Sequence, residues 1–187
     1  MKKELTGIIL SGGKSSRMGQ DKGLMDFREK KMVQYSIDVL SHFTNCIIIS
    51  SNDSEYRNFG FPLITDMYKD CGPVGGLHAA LSASETDWNL VLACDLPFMN
   101  AELFHSLSAL IDQQDAILPI HSNGIEPLAG IYHKQLSSFF AEKLQKREFK
   151  LHAILKERDI EYFDASGLLE RYPKLFANIN TSDDLKN

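Results

Sequence analysis

The chain has 187 residues, 43% of them hydrophobic and 24% charged, with 20 Lys and Arg against 25 Asp and Glu for a formal charge of -5. That composition excludes disorder, a collagen-like chain and a disulfide-dense miniprotein. The acidic balance argues against a nucleic-acid partner, which would need a positive excess to displace counterions, so an anionic ligand has to be held by a built site.

In chain order, Ile8-Ile9-Leu10 reads as a strand buried on both faces. It runs into Ser11-Gly12-Gly13-Lys14-Ser15-Ser16-Arg17-Met18-Gly19-Gln20-Asp21-Lys22, which combines three glycines, three serines and three cations. Glycines let backbone N–H groups approach a phosphate, and Lys14, Arg17 and Lys22 neutralise it. This is not a Walker A motif, because the position five before Gly13 is Ile8, and Lys14 breaks the G-x-G-x-x-G dinucleotide pattern. A plain surface turn with solvated cations is the alternative.

Residues 32–43 carry Val33, Ile37 and Leu40 at helical spacing, and Ile47-Ile48-Ile49 is a second buried strand. Asp66 follows the short apolar stretch 61–64. Its open roles are a ribose contact, help in placing a metal, or a loop cap. Gly72-Pro73-Val74-Gly75-Gly76 suits either close approach to a base or ordinary turn chemistry before a helix over 76–84. The third strand, Leu90-Val91-Leu92-Ala93, ends in Cys94-Asp95-Leu96-Pro97-Phe98. A carboxylate at that edge suits Mg2+ shared with phosphate oxygens, the alternative being a turn or N-cap aspartate. Helices are expected over 101–113, with Asn100 as N-cap, and over 135–146. Strands are expected over 116–120 and over 128–132, the latter with Pro127 at its start. Residues 150–176 read as mixed short elements. This alternation predicts an α/β fold with a mostly parallel central sheet covered by helices on both faces, and ligands at the carboxyl ends of its strands.

Length points to one domain over 1–187. Cys46, Cys71 and Cys94 are few and scattered, which suits a reduced, cytoplasmic chain. The first apolar run is too short for a signal peptide, and no run reaches membrane-spanning length, so no membrane partner is expected. The six histidines show no metal-ligand spacing and read as structural or solvated.

The stretch 7–22 resembles the signature of nucleotide-sugar-type nucleotidyltransferases, and within them the MobA-like molybdenum cofactor guanylyltransferases. The likeness extends to Thr65-Asp66 with residues 71–77, to residues 94–98, to Glu126-Pro127-Leu128-Ala129-Gly130-Ile131-Tyr132 and to residues 178–185, in order along nearly the whole chain. Ser11, Gly75 and Ser182 stand where alanine, alanine and proline are common in that family. The resemblance implies a Rossmann-like nucleotidyltransferase fold and Mg2+-dependent transfer of GMP from GTP to molybdopterin or Mo-molybdopterin, with release of pyrophosphate. It implies that Leu10, Ser11, Gly12 and Gly13 wrap the nucleotide, with Arg17 and Lys22 on its phosphates. Asn52 would lie near the base, Asp66 near the nucleotide and Asp95 on Mg2+, with Asn178 and Asn180 on the pterin side. Arg17, Lys22 and Asp95 are the expected catalytic residues. Transient contact with other proteins of molybdenum cofactor biosynthesis is also implied. The rivals are a molybdenum cofactor cytidylyltransferase, another small nucleotidyltransferase, and a nucleotide-sensing module without turnover.

Overall fold

The computed structural model describes residues 4–11, 21–68 and 70–179. Gly12, Gly13, Lys14, Arg17 and Asn180, all singled out from the sequence, lie outside the described residues.

Strand β1 (Leu5–Leu10) is buried along nearly its whole length, and its side chains alternate between two apolar layers, Ile8 and Leu10 in one and Ile9 in the other. Asp21 caps a single 3-10 turn over Lys22–Leu24. A short hairpin follows, β2 (Asp26–Phe27) and β3 (Lys30–Lys31), with Arg28 at φ 56° in its turn. Next come α1 (Met32–Ser41), β4 (Ile47–Ser50), β5 (Leu63–Ile64), α2 (Gly72–Ala83), β6 (Trp88–Ala93) and α3 (Ala101–Ser108). The second half adds β7 (Ala116–His121), β8 (Gly124–Ile125), β9 (Ala129–His133), α4 (Leu136–Gln145), α5 (Leu151–Leu155), β10 (Ile160–Asp164) and α6 (Ser166–Arg171).

The main sheet runs β10-β7-β9-β6-β1-β4-β5, with β8 folded back on β7. Neighbours are parallel except for β9, which is antiparallel to both β6 and β7, and β8, which is antiparallel to β7. Helices α1, α3 and α6 cover one face, and α2, α4 and α5 the other. The α/β expectation therefore holds. Among the described residues no helix is long and apolar enough to cross a membrane. All three cysteines are free thiols.

Local departures have local causes. The helix expected to begin at Gly76 begins at Gly72, with Pro73 in its first turn, where a missing N–H is tolerated. Gly76 is needed for packing rather than for a turn: a Cβ there would lie 3.1 Å from Ser50 Oγ and 3.3 Å from Leu10 Cδ2. Helix α3 stops at Ser108, short of 113, with the Ala109 N–H closing its last turn on His105 O, and the Gln114 side chain ties the loop that follows, donating to Leu110 O at 2.6 Å and accepting from Asp112 N at 3.0 Å. Asn100 does cap α3, accepting from Glu102 N. The stretch 150–176 resolves into α5, β10 and α6.

The far strand β10 is pinned by an ion pair. Asp115, just before β7, accepts two hydrogen bonds from Arg158, at 2.8 and 2.9 Å, one from Gln135 at 2.6 Å and one from Asp159 N at 3.1 Å. Burial alone would raise the Asp115 carboxyl; the guanidinium and the other donors outweigh it and hold it below the usual carboxylate range. The resulting stability is present above the ordinary aspartate value and is lost as pH falls through the lower folded-state value. Asp115→Asn should therefore lower stability by about 2 kcal/mol at neutral pH. Denaturant unfolding of both proteins across acid pH, followed by circular dichroism, should show the difference between them vanish at low pH.

Candidate active site

The parallel strands bring the carboxyl ends of β1, β4, β5 and β6 to one edge of the sheet. A cavity of about 680 Å³ opens there, large enough for a nucleoside. Leu10 and Ser11 line it from β1, Ser50 to Ser54 from the end of β4, Asp66 from beyond β5, and Cys71, Gly72, Pro73 and Gly76 from the start of α2. The N-cap residue Cys71 makes no side-chain cap, and the positive dipole end of the helix belongs to the cavity wall.

Two of the residues singled out from sequence are joined here. Asn52 Nδ2 donates to Asp66 Oδ2 at 3.4 Å, and Asp66 N donates to Asn52 Oδ1 at 3.1 Å. Burial raises the Asp66 carboxyl above its usual range, and the Asn52 bond only partly offsets this. Asp66 therefore presents an acceptor whose charge is poorly solvated by the protein, suited to a ligand bearing N–H or O–H donors.

Beneath the cavity lies a string of buried polar groups. Cys94 Sγ donates to Ser11 Oγ at 3.4 Å. Ser11 Oγ donates to the Tyr56 hydroxyl, and Tyr56 donates to Asp21 Oδ1. Asp21 Oδ1 also accepts from Gly23 N at 2.9 Å. Burial pushes the Cys94 thiol up to about 12 and the Tyr56 phenol higher still, so both stay protonated as donors. Gly23 sits against this string: a Cβ there would fall 2.2 Å from the Tyr56 hydroxyl oxygen, 2.8 Å from Ser11 Oγ and 3.0 Å from Cys94 Sγ.

Lys22 lies between the two anchored residues. Its Nζ stands 3.9 Å from Asp95 Oδ2. Asp95 follows β6 and is outside the cavity lining. Burial raises its carboxyl, Lys22 opposes that, and Glu126 adds to the rise. Glu126 itself is held by His121 Nε2 at 3.0 Å, and the His121 ring stacks on Phe176 at 5.1 Å. The histidine is thus a packed structural group, as the sequence suggested. Ile179 N donates to Asp95 O at 3.0 Å, which brings exposed Asn178 to the same edge.

Leu10, Ser11, Asn52 and Asp66 therefore share one cavity, and Lys22 and Asp95 form a pair beside its floor. Tyr56, and the anchoring function of Asp21 and Gly23, were not read from the sequence. Asp-Lys-Gly carried a signal, since Asp followed by Gly two residues on suits a side-chain-capped turn. Tyr56 carried none, because its neighbours are polar and give no periodicity.

A nucleoside-sized cavity and a lysine–aspartate pair at the carboxyl edge of such a sheet define a nucleotidyltransferase of the α/β class. Residues 7–161 match the MobA-like NTP transferase domain, and the chain belongs to that family. It is 35% identical over 183 residues to a molybdenum cofactor guanylyltransferase of Vibrio campbellii, covering 95% of this chain and 91% of that one. A protein of the same name from Vibrio parahaemolyticus is 34% identical over 183 residues, covering 95% and 91%. Among solved structures, molybdopterin-guanine dinucleotide biosynthesis protein A of Archaeoglobus fulgidus superposes with a TM-score of 0.81 at 25% identity, over 97% of this chain and 95% of that one.

Gly23→Ala should weaken nucleotide binding at least tenfold, because the new methyl has to displace buried groups that hold Lys22. Tyr56→Phe removes the atom it strikes hardest. The Gly23→Ala/Tyr56→Phe double variant should recover part of that loss in a calorimetric titration with GTP, and no recovery would mean the string does not set this segment.

Proposed function

We propose that this protein transfers GMP from GTP to molybdopterin or Mo-molybdopterin and releases pyrophosphate, with residues 1–187 acting as one catalytic unit. The observation that carries the reading is the Lys22–Asp95 pair beside the cavity that holds Asn52 and Asp66. The names of the relatives support it.

In this reading the cavity takes the guanosine. Asp66, oriented by Asn52, accepts hydrogen bonds from it, and Leu10 and Ser11 form its floor. Lys22 meets the phosphates, joined by the Gly12-Gly13 backbone and Arg17, which are assigned from the resemblance. A phosphate oxygen of the acceptor forms the new bond to the α-phosphorus. The bond from that phosphorus to the bridging oxygen breaks, and pyrophosphate leaves with the electron pair. The acceptor phosphate is already ionised near neutral pH, so no general base is required. The obstacle is the meeting of two anions, which the protein lowers by alignment and charge neutralisation. Asn178 and Asn180 are assigned to the pterin.

Members of this family generally use a divalent metal. Asp95 fits Mg2+: its carboxylate is 28% exposed, and its cationic neighbour stands at 3.9 Å, beyond hydrogen-bond length. Mg2+ is commonly held by one or two carboxylates completed by phosphate oxygens and water. When bound, the ion supplies positive charge at the reacting phosphate. Transient contact with other cofactor-biosynthesis proteins completes the reading.

The decisive assay supplies GTP or CTP with Mg2+ and molybdopterin and follows pyrophosphate and dinucleotide product. GTP should support product and CTP should not; preferential use of CTP would assign the cytidylyl branch, and no product with either would leave a nucleotide sensor. Asp95→Asn should lower turnover by about a hundred- to a thousandfold with an unchanged fold. Lys22→Ala should lower product formation, and unaltered rate and GTP affinity would remove Lys22 from the site.

A further inference from the structure

Phe98, in the turn that follows Asp95, gathers two cations on its ring. It lies three residues beyond Asp95, after Leu96 and Pro97, in a turn that Met99 N closes on Leu96 O at 3.2 Å. Chain length alone keeps its Cα within about 11 Å of that of Asp95. The Arg28 guanidinium carbon is 5.6 Å from the centre of its ring, and Lys174 Nζ is 5.5 Å from the same point. The two charges are therefore separated by no more than the sum of those distances, although 146 positions divide them in sequence.

The arrangement is held from behind. Phe27 packs edge-on against Phe98 at 5.6 Å and carries Arg28 at 5.1 Å. Ile179 joins the same apolar cluster and donates its N–H to Asp95 O. The β2–β3 hairpin, the turn after Asp95 and the segment beyond α6 thus meet at one ring.

No carboxylate among the described residues neutralises either cation. Among the described residues, Arg28 and Lys174 make no ion pair. Asp26 on the same hairpin is taken by Lys31 at 3.0 Å, and Glu102 of α3 is taken by Arg171. Glu29, next to Arg28 in the turn, makes no ion pair either. A cation over an aromatic ring is steadied without losing its charge. Two such charges, on a chain with a formal charge of -5, are suited to an anion. None of Phe27, Arg28, Phe98 and Lys174 lines the nucleotide cavity.

We propose that Arg28 and Lys174, steadied on Phe98, clamp the phosphate monoester of the acceptor and set it against the nucleotide at Lys22 and Asp95. This rests on the transferase reading above. It supplies what that reading otherwise leaves open, namely which cations offset the charge of the second anion. Arg28 provides a two-pronged donor and Lys174 a point charge.

The test is steady-state kinetics with GTP, Mg2+ and molybdopterin for the unaltered protein and for Arg28→Asn, Lys174→Gln and the double variant. Asn accepts a φ of 56° better than most residues, so backbone strain does not confuse the first of these. Each single change should raise the KM for molybdopterin about fivefold, and the double variant should depart from the roughly 25-fold product of the two, because both cations meet one phosphate. The KM for GTP should stay within about twofold, since the nucleotide contacts lie elsewhere. Arg28→Lys should restore only part of the loss, since it keeps the charge and gives up the two-pronged geometry, and a purely structural role of the hairpin would not predict recovery through charge. An unchanged acceptor KM, or a rise confined to the GTP KM, overturns the clamp and leaves the transferase reading standing. Failure of the unaltered protein to guanylylate molybdopterin overturns that reading, and the clamp with it.

Discussion

Asp21, half-buried at the cavity wall, accepts hydrogen bonds from Tyr56 and from Gly23 N. That string of buried donors, running from Cys94 through Ser11 and Tyr56, fixes the residue just before Lys22 and the residue just after it. The backbone at Lys22 is held on both sides, and its ammonium faces Asp95. A lysine on an unanchored loop would lose side-chain and backbone entropy each time it met a phosphate. Here that cost is met during folding. Cys94 takes part as a protonated hydrogen-bond donor, which burial ensures, and not as a nucleophile.

The strand order puts this anchor where it is useful. β1 lies between β4 and β6, so the residues leaving those three parallel strands are neighbours by construction. Ser11, the Ser50–Ser54 segment and Asp95 are therefore brought together by backbone pairing before any side chain chooses a partner. The antiparallel strand β9 interrupts the parallel series on the other flank of β6. Its preceding segment contributes Glu126, whose charge bears on Asp95 from that side and whose position is held by the His121–Phe176 stack.

A net negative chain that handles polyanions has to concentrate positive charge locally. The structure does so twice around Asp95: with Lys22, held by buried hydrogen bonds, and with Arg28 and Lys174, steadied on an aromatic ring. The start of α2 adds its positive dipole end at the cavity wall. The remaining surface can stay acidic, since local contact outweighs a screened global field at physiological salt.

Much of this was legible in the chain itself. The alternation of isoleucine-rich runs with helical spacing determined an α/β sheet covered on both faces, because each period buries apolar side chains in only one way. Asp95 and Asp66 were visible as carboxylates leaving apolar runs, where a core has no use for them. What the sequence left undecided depends on distance. No local pattern marks Tyr56 as the partner of Asp21, 35 positions earlier, or joins Arg28 to Lys174 across Phe98. The antiparallel sense of β9 and the absorption of Gly72 to Gly76 into α2 were decided in the same way, by which surfaces meet in the folded chain. Periodicity reports the burial of a residue by its own element; hydrogen bonds and ring contacts between remote segments exist only once the strands have paired.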